Sequence, residues 1–136
     1  MKARLTQIEG MKCEAKAEGA PAIILDADRK EAGPSPFQTV LLAAMGCTAS
    51  DIVWILKKER EPIAGLEIEA EAERAEKEPR VLTKVHLHYK VYGDGVREGA
   101  VRRAIDLSTE KYCSVGIMLR RGGVRWGTSF EVLSSA

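Results

Sequence analysis

The sequence predicts an α+β fold in which mostly antiparallel strands accompany a long buried helix and a second helix. Three observations carry this. Apolar and polar residues alternate over several separate stretches, which marks half-buried strands. From Ala32 to Ser50 no residue is charged in a chain that is 30% charged overall, and a helix apolar on every side is a buried one. Finally, Val101, Ala104, Ile105, Ser108 and Tyr112 form a helical stripe ahead of the last strand.

Arg4-Leu5-Thr6-Gln7-Ile8 alternates, and with Gly10 as the break the segment from Ala3 to Ala17 reads as a hairpin. Ala22-Ile23-Ile24-Leu25 is a short third strand, followed by a charged loop through Asp26, Asp28, Arg29 and Lys30 to Pro36. Ser35 as N-cap and Pro36 at the first helical position open a helix over residues 36 to 60, whose end emerges into water through Lys57, Lys58 and Glu59. Leu66, Ile68, Ala70 and Ala72 then alternate with Glu67, Glu69, Glu71 and Glu73, giving a strand with one wet face. Val81, Thr83, Val85, Leu87, Tyr89 and Val91 share a face of the next strand, and Glu78-Pro79 lies in the turn of the long antiparallel hairpin. Asp94 is expected to cap the second helix, which residues 115 to 119 extend and Gly122-Gly123 ends. Val124, Trp126, Thr128, Phe130 and Val132 alternate inward along the last strand.

A chain of 136 residues with 45% hydrophobic residues is expected to form one globular domain, spanning residues 1–136. It has few elements to cover the uncharged helix on every side, so a homodimer is expected to bury it. Lysine and arginine number 21 against 20 acidic residues, a net charge of +1, which argues against a nucleic-acid partner. Met1-Lys2-Ala3-Arg4 is charged before any apolar run, so no targeting peptide is expected and the cytoplasm is the expected location. The uncharged stretch holds Pro34, Ser35, Gln38, Thr39 and Thr48 and is expected to be too polar to span a membrane.

Neither a GxGxxG nor a GxxxxGK[ST] loop is present, so nucleotide binding is unsupported. His86 and His88 stand on one face of a strand, where two solvent-facing histidines are far commoner than a metal pair, and no metal or other cofactor is expected. Three cysteines, an odd count in a reducing compartment, point to thiol chemistry rather than to staples. On spacing alone, Cys47 on the uncharged helix and Cys113 at the end of the second helix also fit small buried apolar residues, and Cys13 on the hairpin has no supporting pattern.

The segment Ser35-Pro36-Phe37-Gln38-Thr39-Val40-Leu41-Leu42-Ala43-Ala44-Met45-Gly46-Cys47-Thr48-Ala49-Ser50-Asp51 resembles the first cysteine helix of the OsmC/Ohr family of osmotically inducible and organic-hydroperoxide-resistance proteins. Glu110-Lys111-Tyr112-Cys113-Ser114-Val115 resembles that family's second cysteine motif, and the likeness covers essentially the whole chain, nearest to the OsmC-like branch. The resemblance implies an intertwined homodimer and a cysteine peroxidase acting on organic hydroperoxides in oxidative-stress defence. Cys47 would be the peroxidatic thiolate and Cys113 the partner that closes a disulfide with its sulfenic acid. An external dithiol, such as a lipoylated protein, would restore both, and the resemblance implies no metal, haem or flavin.

In that family an arginine from the first hairpin and a glutamate after the helix-opening proline hold the thiolate; here Phe37 stands at the glutamate position and Met11-Lys12 near the arginine position. Mid-helix, a thiolate gains little from its own helix's N-terminal field, so a nearby cation is expected, while an ionised Asp51 one turn on would raise the thiol pKa. Lys12, Arg4 or a residue of a partner chain are candidates for that cation, and Glu110 for the carboxylate that orients it. Phe37, Met45 and Trp54 are candidates to line an apolar pocket. Two other readings use the same residues differently: a dimer binding a small hydrophobic ligand, and a cysteine redox sensor.

Overall fold

The computed structural model describes residues 1–28 and 31–135, so Arg29 and Lys30 of the expected loop lie outside the described residues. The chain divides into two compact units, Met1–Ala43 and Ala44–Ala136.

In the first unit, β1 (Ala3–Glu9) and β2 (Lys12–Ala17) form the expected antiparallel hairpin, turned at Gly10, whose φ of 56° suits a residue without a Cβ. β3 (Ile23–Asp26) adds antiparallel to β2. The loop after β3 is tied back where the Asp26 N–H donates to the Pro34 carbonyl at 3.0 Å. α1 (Pro36–Lys58) begins in this unit and continues from Ala44 in the second; it opens on a reciprocal box, in which the Gln38 N–H donates to Ser35 Oγ at 3.1 Å and the Ser35 N–H to Gln38 Oε1 at 3.0 Å. Lys57 and Lys58 in its last turn complement the helix dipole, and the chain leaves through Arg60 at φ 60°, so α1 stops two residues before the expected end.

In the second unit, β4 (Gly65–Arg74) pairs antiparallel with β5 (Leu82–Tyr92) as expected. β6 (Arg125–Leu133) runs parallel to β5, which corrects the expectation of an antiparallel sheet at this pairing. The reason is the connection: a helical crossover between β5 and β6 returns the chain in its original direction, and alternation of side chains is blind to direction. β5 is the central strand, and Val85, Leu87, Tyr89 and Val91 on its inner face are fully buried. β6 is an edge strand, and Thr128, expected inward, stays exposed there.

The crossover is not one helix. α2 (Glu98–Leu107) passes into a π-helical turn (Ser108–Tyr112), and a separate α3 (Ser114–Arg121) starts after Cys113. The wider turn breaks the expected stripe: Val101, Ala104, Ile105 and Ser108 are buried, but Tyr112 is 45% exposed. Nor does Asp94 cap α2. Its carboxylate accepts from the Ser135 N–H and hydroxyl, while the start of α2 is held by Glu61, which accepts the Arg97 N–H at 2.8 Å and clamps the guanidinium at 3.0 and 2.8 Å.

α1 also departs from expectation. Only Ala44, Thr48, Ile52, Ile55 and Leu56 are buried, one stripe at helical spacing, while Val40, Leu42 and Trp54 are 39%, 51% and 58% exposed. Its apolar character is nonetheless stronger than the polar residues before Ser50 suggested. The helix is long and apolar enough, by length and composition, to cross a membrane, with a mean hydropathy of 1.8 in its most apolar window. Ile52, Val53, Ile55 and Leu56, which follow Asp51 and lie beyond the uncharged stretch, add to Val40, Leu41 and Leu42 within it.

Candidate functional site

Cys47 and Asp51 lie one helical turn apart on α1, so their side chains leave the same face. Cys113 is the N-cap residue of α3. These placements bring Cys47 Sγ, Cys113 Sγ and a carboxylate oxygen of Asp51 within 4.8 Å of one another. Cys113 is buried, Cys47 is half-buried, and both are free thiols.

Burial pushes the Cys47 thiol up, but hydrogen bonds to its sulfur from the Val115 N–H, the Cys113 thiol and the Ser114 hydroxyl overcome it and hold the thiol below its ordinary value. Ser114 Oγ stands 3.9 Å from the sulfur. Ser114 and Val115 are the first residues of α3, so a helix start other than Cys47's own presents N–H dipoles to the sulfur. This is a support that sequence spacing cannot show, because spacing reveals only the helix on which Cys47 rides. Asp51 acts in the expected direction, raising Cys47 by its charge, as the smallest of these influences.

Cys113 is pushed the other way, to about 11. Burial is the main cause, the Gly116 N–H opposes it, and the Cys47 sulfur and Asp51 add to it. The Ala44 carbonyl lies 3.8 Å from Cys113 Sγ, in reach of the protonated thiol. The approach is close at Gly116, where a Cβ would stand 3.2 Å from Cys113 Sγ and 3.4 Å from the Trp126 ring. The pair is thus one sulfur shifted toward its thiolate beside one that stays protonated at neutral pH.

Behind the thiols runs a chain of hydroxyls that the sequence did not announce. Tyr89 Oη lies 2.9 Å from Thr48 Oγ1, Thr48 Oγ1 lies 2.7 Å from Ser108 Oγ, and Ser108 Oγ donates to Asp51 Oδ2 at 2.9 Å. Thr48, Tyr89 and Ser108 are all buried, and burial pushes the Tyr89 phenol up to about 12, so it stays protonated. Ser108 sits in the predicted apolar stripe, Tyr89 on the predicted inner face of β5 and Thr48 in the uncharged helix, and hydroxyls at such core positions were the signal of this network available in the sequence.

Of the other candidates, Glu110 is exposed on the π-helical turn and is not among the groups that shift either thiol. Arg4 stands on β1 opposite Lys16, and Lys12 on β2 opposite Asp26, both in the first unit. Phe37 and Met45 are half-buried on α1, and Trp54 is exposed with the Lys58 ammonium 4.8 Å from its ring centre rather than lining an enclosed pocket. Cys13 is half-buried opposite Gln7 and Leu25 in the first sheet. His86 and His88 do share a face, and both bond Ser129 Oγ, at 2.9 and 2.7 Å.

Residues 27–129 match the profile of a family described as OsmC-like protein. The chain belongs to the OsmC-like family. This bears out the resemblance carried by its two cysteine segments. The OsmC-like chain is 39% identical over 135 residues to Protein YhfA of Escherichia coli strain K12, covering 99% of this chain and 100% of YhfA. Among solved structures, a hypothetical protein from Aquifex aeolicus is 28% identical with a TM-score of 0.88, covering 99% of this chain and 97% of the other. An organic hydroperoxide resistance protein OsmC from Legionella pneumophila superposes with a TM-score of 0.70 over 96% of this chain and 95% of its own. At 15% identity that likeness is one of fold, and it bears out the α+β OsmC-like architecture.

Proposed function

We propose that this OsmC-like protein is a thiol peroxidase that reduces organic hydroperoxides through Cys47 and a transient Cys47–Cys113 disulfide. The observation that carries the reading is the division of labour between two adjacent sulfurs. One is held toward the thiolate by the start of α3, and the other is kept protonated by burial. The Cys47 thiolate attacks the distal oxygen of the hydroperoxide, the O–O bond breaks, and the alkoxide leaves and takes a proton to become the alcohol. Cys47 is then a sulfenic acid. Cys113 displaces its hydroxyl, which leaves as water, and an S–S bond forms.

A thiol with a pKa of about 11 needs a proton acceptor to attack at neutral pH. Asp51, within 4.8 Å of both sulfurs and held by Ser108, is placed to take the Cys113 proton and return it to the departing hydroxide. An external dithiol, such as a lipoylated protein, then exchanges with the disulfide and restores both thiols. The cycle needs no cofactor, and the cytoplasm, with its dithiol supply, is the compartment it suits. The exposed apolar residues Val40, Leu42 and Trp54 on α1 and Met118 on α3 support a homodimer.

Steady-state turnover tests the proposal: purified protein, dihydrolipoamide and cumene hydroperoxide, followed by loss of peroxide. Sustained consumption that disappears in Cys47→Ser supports it, and consumption no faster than the dithiol alone refutes it.

A further inference from the structure

The two sulfurs and the carboxylate that the proposed redox cycle uses are also a cluster of metal-ligand types within 4.8 Å of one another. Asp51 acts by its charge on Cys47, and Asp51 and the Cys47 sulfur both act by charge on Cys113, so the cluster gathers anionic ligands at one point. A carboxylate this close hinders a nucleophilic thiolate, yet it is an ordinary companion of thiolates around a metal ion. We propose that the reduced site also binds one thiophilic divalent cation of the zinc class, through Cys47 Sγ, Cys113 Sγ and an Asp51 carboxylate oxygen.

The geometry supports a three-ligand site with a fourth position open to solvent. Bonds of about 2.3 Å to sulfur and about 2.0 Å to oxygen in a tetrahedron put ligand atoms roughly 3.5–3.8 Å apart. Here the three donor atoms already lie within 4.8 Å of one another, so closing onto an ion takes shifts of about half an ångström per atom. The outer shell is also in place. Ser108 Oγ donates to Asp51 Oδ2 at 2.9 Å, and the N–H groups of Val115 and Gly116 are directed at the Cys47 and Cys113 sulfurs. Cys47 and Asp51 are half-buried, which leaves an entry path. Occupancy and the disulfide exclude each other, so the ion would guard the reduced thiols, and oxidation to the disulfide would release it.

This inference does not rest on peroxidase activity and is tested apart from it, by titrating the fully reduced, chelator-stripped protein with Co²⁺ under nitrogen and displacing it with Zn²⁺. The expected result is one Co²⁺ per chain with near-ultraviolet thiolate-to-cobalt absorption, lost in Cys47→Ser and Cys113→Ser and unchanged in Cys13→Ser. Asp51→Asn should weaken binding by about tenfold or more. Half-exposed Cys47 tolerates substitution best, so its variant decides the matter even where Cys113→Ser unfolds. No cobalt–thiolate absorption, absorption that survives loss of Cys47 or follows Cys13, or unchanged affinity in Asp51→Asn would each overturn the assignment.

Discussion

Replacing Thr48 by valine keeps the shape of a fully packed position and removes its hydroxyl, which sits between Tyr89 Oη at 2.9 Å and Ser108 Oγ at 2.7 Å. Ser108 keeps Asp51 as a partner, so losing its bond to Thr48 should cost about 1 kcal/mol. Tyr89 is worse off. It is 0% exposed and Thr48 is the partner of its hydroxyl, so stranding that group costs a further 1–3 kcal/mol or so, for a total of about 2–4 kcal/mol. Tyr89→Phe alone should cost only about 1 kcal/mol, because Thr48 retains Ser108. In the double variant no hydroxyl is stranded, so its loss should fall about 1–2 kcal/mol short of the sum of the two. Urea unfolding of the four reduced proteins, read by tryptophan fluorescence, measures the cycle. A Thr48→Val loss under about 0.5 kcal/mol, or strict additivity in the double variant, would refute the account of a closed buried hydroxyl chain.

Four other outcomes follow from the same geometry. Iodoacetamide should label Cys47 at a pH below that needed by an ordinary thiol, and Cys113 only as the pH nears about 11; equal pH profiles by peptide mass would contradict the division between the sulfurs. Asp51→Asn should leave oxidation of Cys47 intact and lengthen the life of its sulfenic acid, seen as stronger dimedone trapping; unchanged trapping would remove Asp51 from the proton path. Gly116→Ala places a Cβ 3.2 Å from Cys113 Sγ and should slow disulfide closure while leaving Cys47 alkylation near normal, in a stopped-flow comparison of the two steps. Glu61→Gln should lower the melting temperature at neutral pH. Because Arg97 holds the Glu61 carboxyl below its usual range, that stabilisation is present above the ordinary glutamate pKa and fades as pH falls through the depressed one, so the gap to wild type should close in acid.

The start of α1 was legible because Ser35 and Gln38 form a cap with a known spacing, and the inner face of β5 because a strand repeats every two residues. The two cysteine segments were legible as family motifs. The thiolate's support was not, because it depends on where α3 begins. The apolar stripe from Val101 runs on toward Leu119, so spacing reads one helix, and the π-helical turn that inserts a break at Ser108–Tyr112 has no composition of its own. Cys113 is also an unusual N-cap and gives no stop-and-start signal. The parallel β5–β6 pairing was hidden for a similar reason, since alternation fixes which side chains face inward but not which way the strand runs.

The most direct measurement mixes the fully reduced protein with one equivalent of cumene hydroperoxide, counts free thiols over seconds, and locates any new bond by peptide mass. The account predicts rapid loss of two thiols to a Cys47–Cys113 disulfide, with Cys13 still free and full recovery on adding dihydrolipoamide. Three free thiols after minutes, or a disulfide that involves Cys13, would contradict it.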